Sequence, residues 1–361
     1  MFRIRLSESA MPTGSKDPDV LLAWLLDSMG LVRRKSEGMS VDDEQGALHR
    51  LMRETLLSEP LKGWDTKSLG DASGLSQTGM HHQLVKLRES GLVAAETEGR
   101  WHIHVLRGGS ISAAVDLVSV QARAILDLRL SEVAERVTES DGRMVIPSED
   151  GDGGFQIEIA EPGATVEGED RLDALMRDLG LNGERGKHND RLARQLFEEI
   201  SSSGRATTLL ALADKTGDSR SRVQRAVERM RAAGIAERVP MLDRIAQDVY
   251  AGLMRQHNAR GEEWLMTRGG LGRLDESVSK SLIAGVRKKS LNIEKVQDIL
   301  APVPLDAQRV LLNTLGGRMP YGIRISGRDG AAVKERVMRQ ADRTLRRLRT
   351  VAQRLDESLA S

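Results

Sequence analysis

The chain contains no cysteine among its 361 residues. Disulfides, thiolate zinc sites and cysteine nucleophiles are therefore excluded. Aromatic residues make up only 2%, so the cores must be built from Leu, Val, Ile, Ala and 14 Met. Long hydrophobic runs are also missing, because the longest, VLLAWLL at 20–26, is far shorter than the ~20 residues of a membrane helix.

The N-terminal segment MFRIRLSESAMPTGSKDPD has no continuous apolar core of the kind found in signal peptides. With no membrane helix predicted, we expect a soluble, cytoplasmic protein. Charged residues make up 30% of the chain, yet the formal net charge is only +1. Local clusters of charge are therefore more informative than the total.

Common catalytic motifs are lacking. The chain has no GxxxxGK[ST], HExxH or GxSxG sequence. The glycines of GGLGRLDES (269–277) follow no strand pattern, which makes them weak candidates for a phosphate-binding loop. We therefore expect neither an enzyme nor a bound cofactor.

An internal repeat is the most informative feature that is present. SQTGMHHQLVKLRESGLVAAE (76–96) aligns without a gap with SRSRVQRAVERMRAAGIAERV (219–239), so that one constant offset relates every position of the two segments. Each copy follows a short predicted helix and, before it, a longer amphipathic helix. The order helix, helix, turn, helix, glycine, strand is typical of a helix-turn-helix unit.

A two-stranded wing is predicted after the first copy. The segments VAAETEG and RWHIHVL read as paired strands joined at Gly99. Residues Trp101, Ile103 and Val105 alternate with His102 and His104, so we expect the apolar set to face the core and the histidines to face solvent.

The third helix of each copy separates apolar from polar residues. Helical spacing places Met80, Leu84 and Leu87 on one side, and Val223, Val227 and Met230 on the same side of the second copy. Polar and basic side chains near the N-terminus of such a helix can bond base edges and phosphates in a major groove about 12 Å wide. The predicted DNA-contacting residues are Ser76, Gln77, Thr78, His81, His82, Lys86, Arg100, Ser219, Arg220, Ser221, Arg222, Gln224, Arg225 and Arg229.

The segment SQTGMHHQLVKLRESGLV, followed by EGRWHIHVL, resembles the winged-helix regulators of the ArsR/MarR-like superfamily. The resemblance covers the segment 42–107 and, more weakly, 189–240. Gln83 stands where that family often has a second histidine. The resemblance implies double-stranded DNA binding by the recognition helix, a homodimer, and control of transcription.

We therefore predict a mainly α fold with small β wings, in which tandem winged helix-turn-helix domains precede a helical C-terminal region. The predicted regions are an N-terminal extension (1–40), the first unit (41–110), a linking helix that could mediate dimerisation (111–140), an acidic linker or insert (141–185), the second unit (186–240) and a helical region with a basic amphipathic helix (241–361). The alternative hypothesis is a tandem winged-helix interaction scaffold, for example in chromosome segregation, without sequence-specific DNA binding.

Two further segments allow more than one interpretation. A metal sensor is one interpretation of the four histidines His81, His82, His102 and His104. Metal sites usually also include carboxylate or thiolate ligands, and none accompanies these histidines, so we predict no metal site. The acidic stretch 148–173, with nine carboxylates against Arg171, reads as a solvated linker or as a nucleic-acid mimic.

The C-terminal segment 331–359 has apolar residues at nearly heptad spacing, and 334–354 holds eight basic residues against two acidic ones. Three interpretations remain open: a helix that packs on its own chain, a dimeric coiled coil, or a helix that contacts phosphates.

Overall fold

A computed structural model describes residues 1–32, 46–98, 101–144, 154–164, 170–183 and 191–361 of the chain. It is 63% helix and 10% strand, with small antiparallel sheets. The prediction of a mainly α fold with a minor β component is therefore confirmed.

The first half begins with a strand and ends with a long helix. Its elements are β1 (Arg3–Ser7), α1 (Pro18–Ser28), α2 (Ala47–Leu51) continued by a π-helical turn (Met52–Leu56), β2 (Trp64–Asp65), α3 (Thr66–Ser73), α4 (Gln77–Glu89), β3 (Val93–Glu98), β4 (Trp101–Leu106) and α5 (Ile111–Ala134).

The second half follows the same order, interrupted by the helices α10 to α13. Its elements are β5 (Gln156–Ala160), α6 (Arg171–Asp178), α7 (Leu192–Ser202), α8 (Leu209–Thr216), α9 (Arg220–Ala232), β6 (Ala236–Pro240), α10 (Leu242–Thr267), α11 (Glu276–Arg287), α12 (Ile293–Leu300), α13 (Leu305–Thr314), β7 (Tyr321–Ile325) and α14 (Gly330–Ala360).

The turn before α4 and the turn before α9 have the same geometry. Gly74 and Gly217 each end the preceding helix in the left-handed conformation, at φ 66° and 69°. Ser76 then caps α4, because its hydroxyl accepts a hydrogen bond from the backbone N–H of Gly79 at 3.3 Å. Ser219 occupies the corresponding position before α9 without making a side-chain cap, and its hydroxyl contacts that of Ser221.

β4 is the central strand of a three-stranded sheet in the order β2-β4-β3. Its alternation was predicted correctly, but the predicted buried face was wrong. His104 and Leu106 are buried, at 3% and 1% exposure, whereas Ile103 is half-buried against Gly63. The reason is register: His104 lies opposite buried Trp64 of β2, and Leu106 lies opposite buried Val93 of β3.

The corresponding strand of the second half is distant in sequence. β6 pairs with β7, from Ala236 opposite Ile325 to Pro240 opposite Tyr321. An isolated bridge pairs Thr207 with Ile323 on β7, and this corresponds to the pairing of Trp64 with His104 on β4 in the first half. A β strand at 321–325 was not predicted, because this segment was interpreted only as a break within a mostly helical region.

Residues 241–320 therefore form an inserted helical body between two paired strands. This body has a hydrophobic core of its own, which includes Ile245, Leu253, Leu282 and Leu312. The backbone N–H of Met241 donates to the carbonyl of Pro320 at 2.9 Å, so the two ends of the insert lie together.

The described part of 141–185 contributes to the principal core. β5 pairs with β1, and Phe155, Ile157 and Ile159 are each at most 2% exposed. Leu175 on α6 is also buried. β5 and α6 are therefore packed against the rest of the chain rather than forming a solvated linker, whereas residues 161–164 are exposed.

α14 packs on its own chain, one of the three alternatives for this segment. Its predicted seam is buried at Val333, Val337, Ala341, Leu345, Leu348, Ala352 and Leu355. The principal partner is α5, which runs antiparallel to it: the Asp356 carboxylate near the end of α14 accepts from Ser112 N–H at the start of α5 at 3.0 Å.

Candidate nucleic-acid interface

The exposed side of α4 carries most of the residues predicted for the first copy. Ser76, Gln77, Thr78, His81 and His82 are all exposed. On the opposite side the predicted core residues Met80, Leu84 and Leu87 are buried. The helix therefore presents a polar N-terminal surface, because its apolar side is fully used for packing on α2 and α3.

The exposed side of α9 is more basic. Ser219, Arg220, Ser221, Arg222, Gln224 and Arg225 are exposed, and Val223, Val227 and Met230 are buried as predicted. Hydroxyl, amide and guanidinium groups are therefore concentrated on the first two turns. These are groups that can bond base edges and phosphate oxygens.

Internal ion pairs reduce the charge that α9 offers to a ligand. Arg222 pairs with Asp218 at 2.5 Å, and Arg231 pairs with Glu228 at 2.7 Å. The Arg225 guanidinium donates to the Ser221 carbonyl of its own helix at 3.2 Å and remains exposed. Arg220 and Arg225 are therefore the strongest phosphate-contact candidates on this surface.

Two predicted contact residues lie further along their helices and are half-buried. The Arg229 guanidinium donates to the carbonyls of Leu181 at 2.7 Å and Asn182 at 3.4 Å, behind α6. Lys86 occupies the same position on α4 and is also half-buried. Arg229 thus holds α9 against the segment after α6, a role that the sequence pattern gave no reason to expect.

The hairpin tips of the two halves differ. Gly99 and Arg100, predicted to form the tip of the first, lie outside the described residues. In the second half the strands lead into the inserted helical body instead. Exposed Arg238 on β6 stacks on the Tyr321 ring at 3.6 Å, a basic residue that sequence reasoning missed because Tyr321 is remote in sequence.

The histidines do not converge on one site. His81, His82 and His102 are exposed, whereas buried His104 has its Nε2 3.4 Å from the Thr66 hydroxyl. Burial, reinforced by Arg88 and His102, lowers the pKa of His104. Within the described ranges no group of three or more His, Asp or Glu residues is placed to hold a metal ion.

The basic residues of α14 are largely engaged inside the chain. Arg343 and Arg347 both pair with Glu8, at 2.8 and 2.5 Å, and Arg349 pairs with Asp116 at 3.0 Å. These contacts weaken the interpretation of α14 as a phosphate-binding helix.

Comparisons with protein-family models, curated proteins and solved structures each found no match. Among the helices described, none combines the length and the apolar character needed to cross a membrane.

Proposed function

We propose that this chain is a sequence-specific DNA-binding protein that regulates transcription. The observation that carries the proposal is that α4 and α9, at matching positions in two copies, both expose polar or basic N-terminal surfaces after the same tight turn.

The element order of each half supports a winged helix. In the first half α2, β2, α3, α4, β3 and β4 follow one another. In the second, α7, the bridge at Thr207, α8, α9, β6 and β7 correspond to them. In such units the helix after the turn enters the major groove and its first residues contact base edges.

The exposed side chains of α4 and α9 suggest which bases or phosphates each copy contacts. Gln77 and Gln224 have amides that suit adenine, which offers a donor and an acceptor in the major groove. Arg220 and Arg225 suit guanine or phosphates, and His81 and His82 offer ring nitrogens to either. The proposal assigns no catalytic step and no cofactor to these residues.

A fluorescence-anisotropy titration tests the proposal. Labelled duplexes from a random 40-base-pair library are titrated with the full chain at ~50 and ~200 mM salt. We expect tight binding at low salt that weakens steeply at high salt, because cationic side chains displace counterions from phosphates.

Arg225→Ala should weaken binding while leaving the thermal midpoint nearly unchanged, because Arg225 is exposed. Arg339→Ala on α14, which removes another exposed arginine remote from α4 and α9 in sequence, is the matched control and should bind as the parent does. Absence of binding at ~50 mM salt would overturn the proposal and favour the interaction-scaffold alternative.

A further inference from the structure

The duplication extends well beyond the helix-turn-helix copies. At a second, slightly larger offset, Ile4 and Leu6 of β1 match Ile157 and Ile159 of β5, and all four are buried. At the same offset Asp17 caps α1 and Asp170 caps α6, each carboxylate accepting a hydrogen bond from the backbone N–H two residues later. The strand and helix before each helix-turn-helix are therefore copies of one another.

A glycine contact repeats as well. Gly30 after α1 and Gly180 after α6 adopt left-handed backbones, at φ 67° and 72°. A Cβ on Gly30 would lie 2.6 Å from the Cβ of Arg5, and one on Gly180 would lie 2.6 Å from the Cβ of Glu158. Arg5 and Glu158 are themselves equivalent at the offset that relates β1 to β5, so the same close approach was retained in both halves.

The C-terminal helices are also equivalent. Val93 pairs with Leu106 in the first half, and Ala236 pairs with Ile325 in the second. After the insert, equivalent residues are therefore as far apart in sequence as 106 and 325, a larger offset than before it. Ser110 then caps α5 and Asp329 caps α14 at matching positions. The chain thus consists of two copies of a strand, helix, helix-turn-helix, strand-pair and long-helix unit.

The two copies are related by an internal twofold axis. β1 and β5 are antiparallel, and Arg5 lies directly opposite Glu158, its own equivalent. α5 and α14 are also antiparallel, and Arg123 contacts Asp342, again its own equivalent, with Nε 2.9 Å from Oδ1. A single twofold axis through both contacts accounts for equivalent residues meeting twice.

Opposite charges stand at both positions on the axis. The Arg5 guanidinium lies 3.4 Å from the Glu158 carboxylate, which also binds Arg3. If two first halves paired with each other, Arg5 would face Arg5 and Arg123 would face Arg123. Like charges opposed in this way are unfavourable, so the two halves of one chain are matched to each other.

Since α4 and α9 are equivalent elements, such an axis would relate α4 to α9 as the axis of a dimer relates two recognition helices. Their exposed surfaces are nevertheless different, with histidine and threonine on α4 and arginine and serine on α9. We propose that one chain acts as a built-in dimer whose ligand is a DNA duplex with two unequal half-sites in inverted orientation. This inference rests on the proposed function and adds stoichiometry and site symmetry to it.

Selection from a random 40-base-pair duplex library tests the inference, with sequencing of bound duplexes and native mass measurement of the complex. We expect one chain per duplex and two dissimilar half-sites, centred about 10 base pairs or a multiple apart. His81→Ala/His82→Ala should relax the preference in one half-site only. Ser221→Ala/Gln224→Ala should relax it in the other, and circular dichroism verifies that both variants are folded.

The outcomes separate the two proposals. Two chains on a symmetric palindrome, or one half-site alone, would overturn the built-in dimer and leave DNA binding intact. The same holds if both variants alter the same half-site. Failure to enrich any sequence, together with no salt-dependent binding, would instead remove the proposed function itself.

Discussion

The two halves of the molecule form equivalent antiparallel strand pairs, but the strands of each pair are connected differently. In the first half β3 and β4 are adjacent in sequence, separated only by residues 99–100. In the second half β6 and β7 are separated by residues 241–320, yet they keep the equivalent register. A scaffold of this kind tolerates a large insertion where its two strands meet, because the ends of the insert lie side by side.

The pairing residues differ accordingly. Ala94 lies opposite Val105 in the first half, and the equivalent pair in the second is Glu237 opposite Arg324. This ion pair is 2.7 Å long and buried, and Glu237 also binds Arg336 at 2.8 Å. A shift in register would leave buried charges unpaired, so the pair penalises misalignment where no short turn fixes it.

The largest effect is expected from breaking this pair. Glu237→Ala leaves the Arg324 guanidinium buried without its carboxylate, and we expect the unfolding free energy to fall by about 3–5 kcal/mol. Urea denaturation monitored by circular dichroism measures it.

The double variant Glu237→Ala/Arg324→Val recreates the first half's apolar pair and should regain most of the loss. If the double variant is as unstable as the single one, the pair is not what distinguishes the two strand pairs.

The next effect concerns the proposed DNA-binding surfaces of α4 and α9. Arg220→Ala/Arg225→Ala should flatten the slope of log affinity against log salt by about 1.8, because each phosphate contact contributes about 0.9. Gln77→Ala should leave the slope unchanged, since its amide side chain carries no charge. Anisotropy titrations over four salt concentrations measure both, and equal slopes would contradict the division of roles.

A smaller difference is expected from His104, whose equivalent in the second half is Ile323. Because burial lowers the pKa of His104, the unfolded chain binds its proton more readily than the folded chain. Its contribution to stability is present above about pH 6.5 and is lost as the pH falls toward the lowered folded pKa.

We therefore expect His104→Ile to reduce the loss of stability between pH 7.5 and 5.5, by at most about 1.4 kcal/mol per pH unit below 6.5. Urea denaturation at both pH values measures this difference. His81→Gln, which replaces an exposed histidine of α4, is the control and should retain the parent's acid sensitivity. An unchanged pH profile in His104→Ile would show that this imidazole does not couple to folding.

The smallest effect is expected at the axis between α5 and α14. Arg123 and Asp342 are 59% and 36% exposed, so Asp342→Arg should cost no more than about 1 kcal/mol. The swapped variant Arg123→Asp/Asp342→Arg should recover that loss. Chemical denaturation of all four members of the cycle gives the coupling energy. A coupling of zero would mean that the contact does not favour pairing of the two halves.

Local patterns in the sequence predicted the helices α4 and α9, since the apolar residues of each, such as Met80, Leu84 and Leu87, lie on one helix face. The same approach could not find β7, because a strand is recognised by its partner and β6 lies before the whole insert. The buried face of β4 was misassigned since Trp101, Ile103 and Val105 are more apolar than His102 and His104. Pairing with β2, not composition, decides which side of that strand is covered.

The candidate interface was predictable to a similar extent. Exposure of Ser76–Thr78 and of Arg220–Arg222 follows from helical spacing alone. The hydrogen bonds of Arg229 to Leu181 and Asn182 do not, because they depend on how α6 packs beside α9. The internal axis was also hidden, since the offset between equivalent residues changes several times along the chain, before the second copy and again at the insert after it.

The inserted helical body also has a consequence for how we expect the two strand pairs to fold. A hairpin with a short turn can form in about 1–10 μs. An unstructured loop as long as 241–320 would make closure of β6 on β7 costlier by roughly 3 kcal/mol, at about 0.6 kcal/mol per doubling of length. Because the insert has its own core and joined ends, its folding brings the two strands together. We therefore expect the second half to assemble from its insert outward and the first to close locally.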